Sequence, residues 1–196
     1  MGRSQQEKLQ GYLQLLQRWN KVYNLTAVRD PAQMQVLHID DSLSIAPYLQ
    51  GETCLDVGSG AGLPGIPLAI VQPERQFTLL DTNGKKTRFM QQAVLELGLQ
   101  NVAVIQARVE SWQPSACFDA VISRAFASLN DFVTFTGKHA CENAILYAMK
   151  GRYPLSELAA LPEGWKVRAQ HSLHVPGLDA ERHLLELQRE LVRVTS

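Results

Sequence analysis

A glycine-rich stretch directly after a short apolar run is the feature that most constrains this chain. Residues 55–67 read LDVGSGAGLPGIP, so Asp56 is followed by glycine at every second position, at Gly58, Gly60 and Gly62. In open α/β sheets, ligands bind beyond the carboxyl ends of the strands. The stretch therefore predicts the first strand of a parallel sheet and the ligand loop that follows it. Glycine-rich turns also occur for purely steric reasons, so the loop needs support from other residues.

Apolar segments alternate with helix-like segments through the middle of the chain. Five segments predict strands: TCLDVG, QFTLLD, VAVIQA, FDAVIS and AILYAMKG. Between them, residues 85–97 and 129–139 predict helices. Strand alternating with helix indicates a mostly parallel sheet that is covered on both faces. Further on, WKVRAQHSLHV and RHLLELQREL predict two strands that form an antiparallel edge. The second segment also fits a short helix, because its leucines do not alternate cleanly.

The beginning of the chain has a helical pattern. Apolar residues recur at steps of three and four between Leu9 and Tyr23. Asp30 followed by Pro31 predicts the start of a second helix. We expect residues 1–50 to form an N-terminal helical extension and residues 51–196 to form one compact α/β domain.

Composition narrows the functional classes. The chain has 196 residues, 45% of them hydrophobic, and a formal net charge of zero, which disfavours a protein that coats nucleic acid non-specifically. No apolar window is long enough to span a membrane and the N-terminus lacks a signal-peptide core, so we expect a cytoplasmic protein. Cys54, Cys117 and Cys141 are widely spaced and odd in number. We expect them to be buried thiols rather than a disulfide or a metal site.

The register of the glycines separates the possible nucleotide ligands. A dinucleotide loop reads G-x-G-x-x-G, but Leu63 stands where its third glycine belongs. Asp81 ends the next strand, at about the separation from Asp56 at which an acid accepts hydrogen bonds from ribose, although a turn aspartate is the alternative. Pro64 and Pro67 remove N–H donors that a pyrophosphate would use. These features together favour an adenosine cofactor without phosphate, namely S-adenosylmethionine.

Motifs outside the loop resemble those of a known family. RWNKVYNLTAVRDP, HIDDS, FTLLDTNGKKTRF, FDAVISRAFASL, YAMKG and LDAERHLLEL are collinear with the loop. With these motifs, the chain resembles the bacterial small-subunit ribosomal RNA methyltransferase G family, also called glucose-inhibited division protein B. The resemblance implies a Rossmann-like class I methyltransferase fold with a mostly parallel seven-stranded sheet and an antiparallel edge strand. Leu37 and Asp40 depart from the family pattern, and Leu37 stands where the family's arginine would offer a phosphate contact.

The resemblance also implies a reaction and a set of cofactor contacts. It implies methyl transfer from S-adenosylmethionine to N7 of one guanine of 16S rRNA, conventionally numbered 527, in the small ribosomal subunit or an assembly intermediate. Together with the loop and the strand-end acid, the predicted cofactor-binding residues are Gly58, Ser59, Gly60, Gly62, Leu63, Asp81, Val109, Glu110 and Arg124. We expect a monomer that uses no metal and binds no membrane.

The chemistry of guanine N7 fits the residues after the fourth predicted strand. N7 carries a lone pair and no proton, so its attack on the sulfonium methyl group needs no general base. Methyltransferases of exocyclic amines resemble one another in an acceptor motif at this place, whereas this chain has SRAF. Arg124 is a donor that suits the acceptor edge of guanine, and we predict it as an orienting catalytic residue. Local pairing that only holds the loop is the alternative.

Two further predictions concern polar and basic residues. His38, Asp41 and Ser42 could form a polar cluster at the cofactor mouth, or a cap. The candidate rRNA contacts, for which a solvated face is the alternative, are Lys85, Lys86, Arg88, Lys150 and Arg152. Two other functions stay open: a small-molecule methyltransferase, and a non-catalytic ribosome-assembly factor that retains the cofactor loop.

Overall fold

The computed structural model describes residues 2–126 and 128–190. These residues contain seven strands: β1 (Thr53–Val57), β2 (Gln76–Asp81), β3 (Val102–Gln106), β4 (Phe118–Ser123), β5 (Ala140–Lys150), β6 (Trp165–Ser172) and β7 (His183–Arg189). They form one sheet in the order β3-β2-β1-β4-β5-β7-β6. Pairing is parallel from β3 to β5 and antiparallel between β7 and its two neighbours.

The predicted sheet is therefore confirmed. The segment RHLLELQREL, which also fitted a helix, forms β7. This strand runs against the others and lies one position inside the edge, which β6 forms. Helices cover both faces of the central strands, so β1 is buried from Cys54 to Val57 without alternation. The outermost strand β6 alternates between half-buried and exposed residues, as a half-covered strand does.

Seven α-helices lie in the described residues: α1 (Arg3–Tyr23), α2 (Pro31–Met34), α3 (Asp41–Leu43), α4 (Gly65–Val71), α5 (Gly84–Glu96), α6 (Leu129–Thr136) and α7 (Leu155–Leu158). A π-helical segment, Gln35–Asp40, joins α2 to α3, and a 3-10 turn, Gly137–His139, follows α6. The predicted cap of α2 is present, because the carboxylate of Asp30 accepts a hydrogen bond from the Gln33 N–H at 3.0 Å.

The N-terminal helix packs on the same face of the sheet as the helix after the glycine loop. Leu9 and Leu16 of α1 are buried in one cluster with Ile66 of α4 and Phe89 of α5. The Tyr12 hydroxyl donates a hydrogen bond to the Ala61 carbonyl oxygen at 2.7 Å, which ties α1 to the glycine-rich loop. The chain that follows α1 is thereby directed to the carboxyl edge of the strands.

The prediction of three free cysteines is wrong for two of them. Cys117 and Cys141 form a disulfide, with Cα atoms 5.0 Å apart, while Cys54 is free and buried as expected. The two bonded residues meet because β4 and β5 are parallel neighbours, with Phe118 paired to Ala140. Spacing along the chain does not reveal which strands lie side by side.

Within residues 2–126 and 128–190, no helix has the length and apolar character of a membrane span. The same residues contain no group of three or more His, Cys, Asp or Glu side chains placed to hold a metal ion.

Candidate active site

The glycine-rich loop joins β1 to α4 at the carboxyl edge of the sheet. At Gly58, where φ is +72°, a Cβ atom would lie 2.7 Å from Ala125 Cβ, so glycine is required where the loop passes the end of β4. At Gly62, a Cβ atom would lie 2.4 Å from Ile66 Cδ1. At Gly60, the nearest atoms to a Cβ would be Lys86 Nζ at 3.9 Å and the Gly58 carbonyl oxygen at 4.0 Å, so a Cβ there meets no close contact. The loop therefore leaves a cradle at Gly60 that any larger side chain would fill.

Asp81 holds the loop from the end of β2. Its Oδ2 accepts a hydrogen bond from the Gly60 N–H at 2.8 Å, and its Oδ1 accepts one from the Asn83 N–H at 2.8 Å. The Gly58 N–H donates to the Leu80 carbonyl oxygen at 2.8 Å. Because each carboxylate oxygen has two lone pairs, Asp81 can still accept hydrogen bonds from a ligand beside it.

Asp56 lies buried beneath the loop. Its Oδ2 accepts the Gly65 N–H at 2.9 Å, and its Oδ1 has no hydrogen-bond partner among the described residues. Burial raises the pKa of Asp56 to about 7, against the opposing effects of the Gly65 N–H and the Arg124 charge. Ser59 Oγ donates to the Asp56 carbonyl oxygen at 2.8 Å. Asp56 thus supports the loop and the start of α4 from inside.

The two prolines of the loop lie at the entrance to α4. Pro64 immediately precedes the helix and Pro67 is its third residue. N–H groups in a first helical turn have no intrahelical acceptor, so proline removes no helix hydrogen bond there. The Leu63–Pro64 peptide bond is cis.

A narrow cavity of about 190 Å³ opens beside the ends of β2 and β3. Four of the predicted cofactor contacts line it: Gly58, Asp81, Val109 and Glu110. Its remaining walls are largely apolar, with Leu80 and Phe126 among them. We call it the narrow slot. An acid at one end and apolar walls along the sides suit a ribose and an adenine ring.

The turn before β5 holds the backbone of the narrow slot. His139 Nε2 lies 2.9 Å from the Val109 carbonyl oxygen, and Lys138 Nζ donates to the Glu110 carbonyl oxygen. Burial lowers the pKa of His139, so its ring is neutral at pH 7. The Glu110 side chain is exposed to solvent. Glu110 therefore contributes to the narrow slot mainly through its backbone.

A wider cavity of about 550 Å³ lies on the other side of Gly58 and Ala125, and we call it the wide cavity. Its walls come from the segment after α1, the glycine-rich loop, the ends of β4 and β5, and the residues before β7. The polar side chains that line it include Thr26, His38, Asp41, Lys86, Arg124 and Arg182. Ser59, Gly60 and Leu63 of the predicted cofactor set line it too, whereas Gly62 lines neither cavity.

Asp41 joins two arginines in the wall of the wide cavity. Its Oδ2 accepts from Arg124 Nη1 at 3.1 Å, and its Oδ1 accepts from Arg182 Nε at 2.9 Å. The Asp41 side chain is 6% exposed. One carboxylate between two guanidinium groups holds both in place, and the cluster keeps one positive charge. Because a guanidinium has five N–H donors, each arginine has donors beyond those that Asp41 takes.

His38 connects the segment after α1 to the π-helical segment. Its Nε2 lies 3.0 Å from Thr26 Oγ1, and Ser42 Oγ donates to the His38 carbonyl oxygen at 2.5 Å. Burial lowers the pKa of His38, so the ring is neutral at pH 7. Of the predicted polar cluster, His38 and Asp41 line the wide cavity, whereas Ser42 bonds to a backbone carbonyl of its own helical segment and does not line it.

The predicted rRNA contacts divide into two groups. Three of them are exposed: Lys85, Arg88 and Arg152. Lys86 is half-buried and lines the wide cavity. Lys150 also lines it, is 13% exposed, and forms an ion pair with Glu157 at 2.8 Å. The last two therefore face inward, toward the site, more than outward toward a surface partner.

Arg182 is a site residue that pattern reasoning did not identify. It binds Asp41, which lies 141 residues earlier in the chain. No spacing rule connects positions so far apart, because the contact depends on β7 pairing beside β5. The available signal was the ERHL motif, which contributed to the family resemblance without a role for its arginine.

Comparison with known proteins identifies the family. The model of the family described as rRNA small subunit methyltransferase G matches residues 5–185. Ribosomal RNA small subunit methyltransferase G of Marinobacter nauticus is 56% identical over 186 residues, which cover 95% of this chain and 87% of that protein. The protein of the same name from Escherichia coli is 53% identical over 184 residues, which cover 94% of this chain and 89% of that protein.

Solved structures of lower identity share the fold. A SAM dependent methyltransferase from Aquifex aeolicus has a TM-score of 0.61 at 19% identity, covering 81% of this chain and 93% of that chain. TYW2 from M. jannaschii, in complex with AdoMet, has a TM-score of 0.60 at 16% identity, covering 78% and 76%. Fold and family are those of S-adenosylmethionine-dependent methyltransferases, as predicted. The chain belongs to the rRNA small subunit methyltransferase G family.

Proposed function

We propose that this protein transfers a methyl group from S-adenosylmethionine to N7 of a guanine in 16S rRNA, the one conventionally numbered 527. The observation that carries the proposal is the character of the wide cavity. The wide cavity is lined by three hydrogen-bond donors, Arg124, Arg182 and Lys86. Among the described residues that line it, the only acid is Asp41, whose charge is neutralised by the two arginines. The O6 and N7 edge of guanine is made of acceptors. A donor-rich cavity suits that edge.

The residues of the narrow slot and the loop fit the cofactor. Asp81 can accept hydrogen bonds from ribose hydroxyls, and the backbone at Val109 and Glu110 lies where an adenine edge would be read. Gly60 lines the wide cavity and Gly58 lines both cavities, which supports a cofactor with one end on either side of Gly58. When bound, S-adenosylmethionine supplies an electrophilic methyl group on its sulfonium sulfur.

The protein's own residues then have to align the base with the cofactor, and they do not have to move protons. Guanine N7 attacks through its lone pair, so a general base is unnecessary. His38 is neutral and engaged with Thr26, which fits a wall residue. Arg124 and Arg182, held by Asp41, would orient the acceptor edge of the base. Alignment of this kind can supply about 7–11 kcal/mol of the barrier.

The relatives support an RNA substrate, since their name specifies small-subunit ribosomal RNA. The zero formal net charge of this chain favours a shaped particle over free RNA, because non-specific attraction to phosphates is weak without excess positive charge. We therefore propose the small ribosomal subunit or an assembly intermediate as the substrate, and a monomeric enzyme in the cytoplasm.

The test uses small subunits from cells that lack this protein. Purified protein and labelled S-adenosylmethionine are added, and the 16S rRNA is digested and mapped by mass spectrometry. The proposal predicts one N7-methylguanine at the stated position. A methyl group on another base or on an exocyclic amine would contradict it. Binding of subunits without consumption of the cofactor would indicate the assembly-factor alternative.

A further inference from the structure

The end of α1 presents a rigid aromatic ring to solvent. Tyr23 is 42% exposed, and its ring packs on Trp19 with centroids 5.2 Å apart. Trp19 in turn contacts the fully buried Phe89, with centroids 5.6 Å apart and an angle of 65° between the rings. The exposed ring is therefore anchored to the core through two aromatic contacts. It is a fixed platform rather than a loose side chain.

The aromatic contacts connect this ring to the basic first half of α5. Trp19 contacts Phe89, which directly follows Arg88 in α5 and lies one helical turn after Lys85. The ring of Tyr23 is therefore connected through Trp19 to the beginning of α5. The beginning of α5 carries three cationic side chains, Lys85, Lys86 and Arg88. Lys86 lines the wide cavity.

A short, fixed connection joins the ring to the wide cavity. Asn24 ends α1 in the left-handed conformation, with φ at 52°, and Arg29 donates to its side-chain oxygen. Leu25, Thr26 and Val28, which follow directly, line the cavity. Tyr23 therefore lies two residues before the first of these lining residues, and Lys86 of α5 lines the same cavity.

We propose that Tyr23 stacks on an rRNA base that neighbours the target guanine, and that Lys85 and Arg88 contact the adjoining phosphates. The inference rests on the proposed function. A guanine that enters the cavity must leave its stack, which exposes the face of the next base. An aromatic ring flanked by cations is the surface that binds an unstacked base together with its backbone. The partner is a single-stranded or locally opened segment of RNA.

The test compares ring-retaining and ring-removing variants in methylation of small subunits. Stacking on one base corresponds to about a 5- to 100-fold change in affinity. Tyr23→Leu should therefore raise KM for the subunit by about that factor with kcat little changed, whereas Tyr23→Phe should stay within about twofold of wild type. Leu95→Ala is the matched control, because Leu95 is 76% exposed on α5 but far from its start.

Two further readouts separate stacking from a structural role. Cofactor affinity by calorimetry and the unfolding temperature should be the same in Tyr23→Leu and Tyr23→Phe. An unchanged KM in Tyr23→Leu, or a loss of cofactor affinity in that variant, would overturn the inference while wild-type methylation still stood. If the wild-type protein places no methyl group on N7 in 16S rRNA, the proposed function fails instead.

Discussion

The narrow slot and the wide cavity are neighbours across Gly58, but the chain builds them in different ways. The narrow slot lies between the ends of adjacent parallel strands, and the hydrogen bond that the Gly60 N–H donates to Asp81 Oδ2 joins the loop to one of them. The wide cavity depends on distant segments, since Asp41 binds arginines that lie 83 and 141 residues further along the chain. The narrow slot, which we assign to the adenosine end of the cofactor, is thus local. The wide cavity, which we assign to the RNA base and to the other end of the cofactor, depends on the packing of the N-terminal helices.

The largest expected effect comes from a substitution that disrupts the wide cavity and leaves the narrow slot intact. Asp41→Ala leaves Arg124 and Arg182 without their shared carboxylate in a mostly buried wall. Removing one partner of a buried pair costs about 3–5 kcal/mol, and the partial exposure of both arginines favours the lower end. Urea unfolding should show that loss, and methyl transfer should fall by more than about 100-fold. Cofactor affinity should change by less than about tenfold, because the slot's own contacts remain. An equal loss of methyl transfer and of cofactor affinity would contradict the division between the wide cavity and the narrow slot.

The second effect concerns the disulfide next to the turn before β5, the turn that contacts the backbone of the narrow slot. The Cys117–Cys141 disulfide closes a loop that includes β4 and α6. A crosslink over a loop of this length contributes about 3 kcal/mol, so reduction should lower the unfolding temperature by about 6–12 °C. Differential scanning calorimetry with and without dithiothreitol measures this. The double variant Cys117→Ser, Cys141→Ser should not respond to the reductant, and a response in it would contradict the assignment.

The third effect targets the cradle between the two halves. Gly60→Ala places a methyl group on the wall of the wide cavity, where φ is +61° and the nearest atom would lie 3.9 Å away. We expect cofactor affinity to fall by about 10- to 30-fold, because the methyl group occupies ligand space. Gly98→Ala is the control, since φ is +59° there and nothing lies within 4 Å. Both variants carry similar backbone strain of about 1 kcal/mol, so a similar loss of affinity in both would contradict a cradle.

The smallest expected effect is a pH dependence of stability that arises from Asp56, which lies beneath the glycine-rich loop. Burial raises the pKa of Asp56 to about 7, above its value in the unfolded chain. The folded protein therefore keeps a proton that the unfolded chain releases, and stability falls as the pH rises toward 7. This contribution should decline by about 1.4 kcal/mol between about pH 6 and about pH 8. Asp56→Asn should lack this component in urea unfolding, and an identical pH profile in both proteins would contradict it.

Sequence reasoning reached the local half of the molecule more fully than the long-range half. Asp56, Gly58 and Asp81 were predictable because strand ends and turn glycines are properties of a few adjacent residues. The disulfide and the place of Arg182 were not, since both depend on which strands become neighbours. The inward orientation of Lys150 was also hidden, because its partner Glu157 belongs to a helix that packs back on the strand end.

The most direct test of the central claim changes one atom of the substrate. Small subunits are reconstituted with 16S rRNA that carries either guanine or 7-deazaguanine at the proposed position, and methyl transfer is measured for both. Our account predicts transfer to guanine and none to 7-deazaguanine, which has carbon in place of the nucleophilic N7 and keeps O6 for the arginines. Transfer to both substrates would contradict N7 as the nucleophile.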